Sequence, residues 1–360
     1  MSSKQSITSA LVIGGCGNLG HNVVKQLLKL EPQPKVSVFD LNTTQNRQPG
    51  VDYYDVDITN KSQVDEAMSK ARPQVVFHTA SPPPALSDLP LYLKVNVEGT
   101  RTLVQSAKEH GTKAFVYTSS ASVVHDSFHD LIEADEHSPL LYMPVQREMY
   151  SHTKALADQL VLDSNSPGTM LTATIRPSGI FGERDPSAQR FADSAKAGKL
   201  KVQIGDGQNL FDWTFNENVI HAHFLAAQKL LESFEKEPAP NLKVGGEGFL
   251  ITNDQHITFW EFARQIGDAA GYPTDREKVR SLPRGLMLGL AIATEWWIWI
   301  SSFGRKTSSM ESLAIRYSTM TRTYNIDKAK RVLGYKPIVS LPDAIKRAGG
   351  SFKEDGKKTV

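Results

Sequence analysis

The segment Leu11–Leu28, LVIGGCGNLGHNVVKQLL, constrains the fold more than any other part of the chain. An apolar run stops at glycine, glycines stand at 14, 15, 17 and 20, and helical spacing begins at once. A short apolar run ending in glycine reads as a buried parallel strand. Between such a strand and a helix, bare backbone has three uses. Gly14 permits a tight turn. Gly17 lets a pyrophosphate approach the main chain. Gly20 lets the helix pack against the strand. The helix start, with Asn18 and Leu19, presents free N–H groups and the positive end of the helix dipole to phosphates. The spacing is GxxGxxG in place of the commoner GxGxxG, so context has to support it.

The context is an alternation of strand-like and helix-like runs. KVSVFD, VDYYDVDIT, PQVVFHTA, KAFVYTSS and LTATIRP read as strands. SQVDEAMSKA, YLKVNVEGTRTLVQSAKEHG and MYSHTKALADQLVL read as helices between them, the second closed by Gly111. This order predicts an α/β fold, a Rossmann-type doubly wound parallel sheet over residues 1–182. Past Gly182 the alternation fades. A late strand is expected near 249–254, and 183–360 is otherwise expected to form a smaller, mainly helical substrate lobe over the C-terminal edge of the sheet.

Asp40 closes the second strand, twenty residues beyond Gly20. A carboxylate there can accept both hydroxyls of an adenosine ribose and would repel a 2′-phosphate. No basic residue follows until Arg47, so the expected cofactor is NAD, with NADP the less suited. Cys16 reads as a small filler in the loop. A net charge of +2 implies no polyanionic partner, so nucleic acid is not expected. A single cysteine forms no internal disulfide, which fits a reducing compartment.

Chemistry enters with YSHTK, which places Tyr150 and Lys154 one helical turn apart on one face. A nearby ammonium and the positive charge of a nicotinamide both favour phenolate, so the tyrosine pKa is expected to fall and Tyr150 to serve as a general base. The fifth strand ends in YTSSAS, at the edge where a crevice is expected. Ser120 is the expected hydrogen-bonding partner of the substrate oxygen, and Ser119 is its rival. His221 and His223 have the wrong spacing for one helical face, and no metal site is expected. His78 reads as a packed core residue. HDSFHDLIEADEH, before the tyrosine helix, reads as solvated surface.

GLMLGLAIATEWWIWI, residues 285–300, departs from the soluble pattern. It is shorter than the ~20 residues a bilayer span needs, and Glu295 interrupts it. Trp296, Trp297 and Trp299 suit a membrane interface, flanked by Arg284, Arg305 and Lys306, and the segment is expected to dock on a membrane surface. The terminal KKTV resembles a dilysine retrieval signal of the endoplasmic reticulum, but it reads first as a solvated charged tail.

From about Leu11 to Gly350 the chain resembles the extended short-chain dehydrogenase/reductases, and among them the 3β-hydroxysteroid dehydrogenase family. GGCGNLG, DVDIT, VVFHTASP, VNVEGT, VYTSSASVV, YSHTK and IRPSGIFG carry the wider resemblance. IGDGQNLFDWTFNENVIHAHFLAAQKLL and the tryptophan-rich run point to the sterol-4α-carboxylate dehydrogenating branch. The resemblance implies Tyr150 as base, Lys154 as its partner and ribose ligand, and Ser120 as third member. It implies Asp57 and Ile58 near the adenine, Ala80 and Ser81 along the cofactor, Asn96 behind the active site and Pro177 near the carboxamide. The prolines of HTASPPP replace the usual turn and stiffen that loop.

The implied reaction is NAD-dependent oxidation of a 3β-hydroxyl on a 4α-carboxysterol with loss of carbon dioxide, at the cytosolic face of the endoplasmic reticulum. The implied partners are a sterol or steroid-like substrate, a membrane surface and a possible homodimer. Alternatives are a steroid or terpenoid 3-dehydrogenase without obligatory carbon loss, a nucleotide-sugar epimerase, and a non-catalytic cofactor sensor.

Overall fold

The computed structural model describes residues 6–84, 86–303 and 311–353, so the terminal KKTV lies outside the described residues. Seven parallel strands form the central sheet: β1 (Ser9–Ile13), β2 (Lys35–Asp40), β3 (Val51–Asp55), β4 (Val75–His78), β5 (Ala114–Thr118), β6 (Leu171–Pro177) and β7 (Glu247–Ile251). Their spatial order is β7-β6-β5-β4-β1-β2-β3. The order reverses between β1 and β4, which opens a crevice beyond the C-terminal ends of those two strands.

Strand side chains alternate between two cores, as the pleat requires. Ala10 and Val12 pack with Val23, Val24, Phe224 and Leu230 on one face, under helices Asn18–Leu27 and Asn216–Glu235. Leu11 and Ile13 pack with Val64, Met68, Leu103 and Val161 on the other. That face is covered by helices Lys61–Ala71, Thr100–Glu109 and Met149–Asp163. The run before Glu109 is helical in three pieces: Leu89–Tyr92, a π-helical segment Leu93–Gly99, and Thr100–Glu109.

A buried ion pair ties the tyrosine-bearing helix to the sheet. Arg176 of β6 donates to both oxygens of Asp158, at 2.9 and 2.7 Å. A Cβ on Gly248 of β7 would stand 2.5 Å from the guanidinium carbon, so this glycine makes room for the arginine.

The second lobe has an aromatic core in which Trp213 stacks on Phe262 at 4.0 Å, with Phe181 and Phe191 set edge-on. Beside it lies a four-stranded sheet of Ile257–Thr258, Leu210–Phe211, Arg322–Tyr324 and Leu131–Ala134. The last of these strands corrects the reading of HDSFHDLIEADEH as solvated surface. His129 and His137 are exposed, but His125 and Ser127 are buried and Leu131–Ala134 pairs into the sheet. Pairing with a distant segment buries what local polarity left outside.

Residues 285–300 lie within helix Arg284–Ser301. Only Ala291 in it is buried, while Leu286, Leu290, Trp296, Trp297, Trp299 and Ile300 are exposed. No helix among the described residues is long and apolar enough to cross a membrane.

Candidate active site

A cavity of about 640 Å³ occupies the crevice at the strand reversal. Its floor is the glycine turn after β1. Gly14 has φ +77°, and a Cβ there would stand 2.9 Å from the Ala80 backbone. A Cβ on Gly20 would stand 2.2 Å from the Gly14 carbonyl oxygen and 2.8 Å from Thr79 Oγ1. A Cβ on Gly17 meets nothing nearer than that carbonyl, at 3.3 Å. Gly14 and Gly20 therefore shape the turn, whereas Gly17 leaves its outer face bare. Gly15, whose role the spacing did not reveal, gives way to Val38, 2.7 Å from its virtual Cβ.

The lining includes Gly14, Gly17, Asn18, Leu19 and Gly20 on one side, and Asp40, Asp57, Ile58, Ala80 and Ser81 on the others. The Cys16 amide donates to Asp40 Oδ2 at 2.9 Å, which holds the carboxylate at the loop. Asp57 accepts from the Thr59 amide and hydroxyl at 2.9 and 2.8 Å, bonds that lower its pKa. Burial, then the charge of Asp40, raises the Cys16 thiol, which suits a filler rather than a nucleophile. These residues fit a dinucleotide. A helix N-terminus faces the cavity, the turn has no room for larger side chains, and Asp40 stands where a ribose would be gripped.

Tyr150, Lys154, Ser120 and Pro177 lie outside this lining. Tyr150 and Lys154 stand on helix Met149–Asp163, Ser120 follows β5, and Pro177 ends β6. The Lys154 ammonium donates to the Thr118 carbonyl and sits 4.2 Å from the centre of the Tyr117 ring. Thr118 Oγ1 meets His223 Nε2 at 2.7 Å, and His223 Nδ1 meets the Val219 carbonyl at 2.8 Å. His223 is thus a buried hydrogen-bonded residue, as is His78, whose Nε2 meets Thr100 Oγ1 at 2.9 Å. Among the described residues no group of three or more His, Cys, Asp and Glu side chains could hold a metal.

Asn96 joins the two halves of the site. Its Oδ1 accepts from Ser81 Oγ at 3.0 Å, and its Nδ2 donates to Thr153 Oγ1 at 3.1 Å. The prolines of the loop after β4 are braced by Tyr92, whose hydroxyl donates to the Pro83 carbonyl and accepts from the Leu86 amide at 3.1 Å. The Tyr92 ring meets that of Tyr150 edge-on at 6.0 Å.

In the chain without its cofactor, the lysine alone does not produce the expected fall of the tyrosine pKa. Burial, then the neighbouring Tyr92 and Glu148, pushes the Tyr150 phenol up rather than down. The same burial lowers Lys154 to about 7, with Asp158 opposing. No hydrogen bond joins Tyr150 to Lys154 among the described residues. Desolvation therefore outweighs the local lysine, because the lysine is itself dehydrated and held by Thr118.

Ser120 Oγ lies 2.8 Å from Ser122 Oγ and accepts from the Ser122 amide at 3.2 Å. Ser119, its rival, has a buried hydroxyl without a hydrogen-bond partner among the described residues.

This arrangement, a switch-point cavity over a glycine turn with a Tyr/Lys helix beside it, defines an NAD(P)-binding fold of the Rossmann type. Solved structures share it. The UDP-glucose 4-epimerase of Thermotoga maritima with UDP-glucose gives a TM-score of 0.68 at 19% identity, covering 96% of this chain and 98% of that one. That of Thermus thermophilus in complex with NAD gives 0.69 at 20%, covering 96% and 99%.

Residues 11–284 match the 3-beta hydroxysteroid dehydrogenase/isomerase family, and the chain belongs to it. It is 34% identical to the decarboxylating sterol-4-alpha-carboxylate 3-dehydrogenase of Saccharomyces cerevisiae, covering 95% of this chain and 97% of that protein. It is 35% identical to that of Candida albicans, covering 98% and 99%, and 35% identical to that of Mus musculus, covering 95% and 90%. The chain is accordingly an oxidoreductase of the 3β-hydroxysteroid dehydrogenase/decarboxylase family.

Proposed function

We propose that this protein oxidises the 3β-hydroxyl of a 4α-carboxysterol with NAD and releases the C4 carboxylate as carbon dioxide. The observation that carries the reading is the likeness along nearly the whole chain to decarboxylating sterol dehydrogenases, together with a Tyr/Lys/Ser set beside a dinucleotide-shaped cavity. Gly14, Gly17, Asn18, Leu19 and Gly20 would hold the pyrophosphate, Asp40 the adenosine ribose, and Asp57 and Ile58 the adenine. Ala80, Ser81, Lys154 and Pro177 would line the path to the nicotinamide. NAD, when bound, supplies the acceptor for the hydride leaving C3.

The chain's own residues do the rest. Tyr150 takes the hydroxyl proton, Lys154 steadies the ribose side, and Ser120 holds the substrate oxygen. The product is a β-keto acid, whose C3 ketone accepts the electrons of the breaking C4–carboxylate bond as a C3–C4 enolate. Ser120 and Tyr150 hydrogen-bond that enolate oxygen, so carbon loss needs no metal and no second base. The assay supplies a 4α-carboxy-3β-hydroxysterol and NAD and follows NADH and carbon dioxide together. Both rise in step if the reading holds. NADH without carbon dioxide refutes the decarboxylating part.

The exposed face of helix Arg284–Ser301 supports docking on a lipid surface, where a sterol could enter without crossing water, and we propose the cytosolic face of the endoplasmic reticulum as that surface. Replacing Trp296, Trp297 and Trp299 by serine disturbs no packed core and is expected to abolish flotation with phosphatidylcholine/phosphatidylserine liposomes. Unchanged flotation refutes docking by this helix.

A further inference from the structure

A buried line of hydroxyls leads away from Ser120. Ser120 Oγ lies 2.8 Å from Ser122 Oγ, which accepts from Ser151 Oγ at 2.9 Å. Ser151 Oγ also reaches Glu148 Oε2 at 3.4 Å. The other carboxylate oxygen, Oε1, accepts from the Tyr317 hydroxyl, which turns Oε2 toward the serines. Ser122 is 8% and Ser151 0% exposed, while Glu148 is half-buried. Alanine would fill both serine positions without carrying polar groups into the interior, so packing does not call for these hydroxyls. Each hydroxyl owns one proton and donates one hydrogen bond. The line consequently has two arrangements. In one, Ser151 donates to Ser122, Ser122 to Ser120, and Ser120 toward the substrate. In the other every donor turns round, and Ser151 donates to Glu148.

We propose that Ser122 and Ser151 relay a proton from Ser120 to Glu148, and that Glu148 is the outlet through which Tyr150 is readied as a base. This rests on the oxidation read above, in which the substrate oxygen O3 lies between Tyr150 and Ser120. Tyr150 gives its phenolic proton to O3, and O3 passes its own proton to Ser120. Ser120, Ser122 and Ser151 each hand one proton on. Glu148 gains one and passes it to water. Tyr150 is left as phenolate and the substrate is still an alcohol. In the next step the O3–H proton returns to Tyr150, the C3–H electron pair leaves as hydride for the oxidised cofactor, and the C3–O double bond forms. The groups facing Glu148 are Tyr92, Tyr150, Tyr317 and Arg322, and none of them is a second carboxylate. The relay also gives the half-buried tyrosine a route for its proton: a phenol that holds its proton needs a way to lose it.

The test compares the full-length protein with Glu148→Gln, Ser151→Ala, Ser151→Thr and Tyr317→Phe. Each is assayed on a 4α-carboxy-3β-hydroxysterol and on a plain 3β-hydroxysteroid, with kcat read across pH and in D2O. Glu148→Gln and Ser151→Ala are expected to lower kcat about tenfold or more. They should also flatten the acid limb of the pH profile and change the solvent isotope effect. Ser151→Thr keeps a hydroxyl and retains the limb. Tyr317→Phe removes the donor that turns Oε2 toward the serines and is expected to lower kcat and change the solvent isotope effect, which reads the relay even where a serine variant folds poorly. A uniform fall in rate, with the limb and isotope effect of the wild type, marks a structural role at the helix start and overturns the relay. The two substrates separate the proposals: wild-type protein that oxidises only the plain steroid refutes the carboxysterol reading, while the relay is still read on that substrate.

Discussion

Adding a single methyl group at Gly20 is the sharpest test of the cofactor turn. In Gly20→Ala the new carbon stands 2.2 Å from the Gly14 carbonyl oxygen, where ordinary contact begins near 3.4 Å, so helix and turn must separate by about 1 Å. The carbonyl it meets accepts from the Gly17 amide at 3.0 Å, and Thr79 Oγ1, also in the way, donates to the Ile13 carbonyl at 2.7 Å. Overpacking of this kind costs roughly 1–3 kcal/mol, and the strained Gly17 bond adds about 1 kcal/mol. The expected total of about 2–4 kcal/mol is shared between folding and NAD affinity, equivalent to roughly 30- to 700-fold if it falls on binding alone. Calorimetric titration with NAD, beside thermal melts with and without it, measures both shares. Gly17→Ala is the control: among the described residues its new carbon meets only the Gly14 carbonyl, at 3.3 Å, so it is expected to melt close to wild type and lose mainly affinity. A Gly20→Ala protein that melts within a degree of wild type and binds NAD within threefold would refute the argument.

Tyr150→Phe is expected to abolish oxidation and leave NAD affinity intact, measured by turnover and calorimetry; substantial residual turnover refutes the base assignment. Asp158→Ala leaves the buried Arg176 guanidinium uncompensated and is expected to cost about 3–5 kcal/mol in urea unfolding, whereas Asp158→Leu with Arg176→Met recovers most of it. Lys154 is held at about 7 by burial, far below an unfolded lysine, so the unfolded chain binds the extra proton between about pH 7 and 10 and this group's contribution to stability rises with pH across that window. Lys154→Met is therefore expected to raise the melting temperature of the cofactor-free protein at pH 6, with the advantage shrinking towards pH 10; a constant difference across that range counts against the buried ammonium.

Much of the sheet was legible because its strands are buried on both faces and show as unbroken apolar runs, as LTATIRP does at Leu171–Pro177. The glycine turn, Asp40 and the Tyr150/Lys154 pair were legible for a related reason: each is a local spacing on one turn or one helix. What escaped has long-range causes. Leu131–Ala134 is four residues long and pairs with Arg322–Tyr324, nearly two hundred positions away, so no local period announces it. The direction of the Tyr150 shift escaped because sequence shows the lysine four residues on but not the depth at which both lie. Ser151 and Glu148 did carry a signal, a three-residue helical spacing, yet its partner Ser122 belongs to another element and joins only in the fold.

Asn96 shows how the topology turns these separate pieces into one site. It sits in the π-helical segment Leu93–Gly99, where the wider turn departs from regular helix geometry. From there a single amide reaches two places that share no strand: Ser81, on the cavity wall after β4, and Thr153, beside Lys154 on the tyrosine helix. Both contacts use the amide fully, one through its oxygen and one through its nitrogen, so no side chain lacking either group replaces it. Asn96→Asp keeps the bond from Ser81 but sets a carboxylate against Thr153 Oγ1. That hydroxyl already donates within its helix, to Met149 or Tyr150, and has no second proton to offer. The cavity wall can keep its place in such a variant while Lys154 loses its neighbouring anchor. Chemistry would then suffer more than binding, with kcat reduced further than NAD affinity, and a variant with both near wild type would mean that Asn96 serves the loop alone.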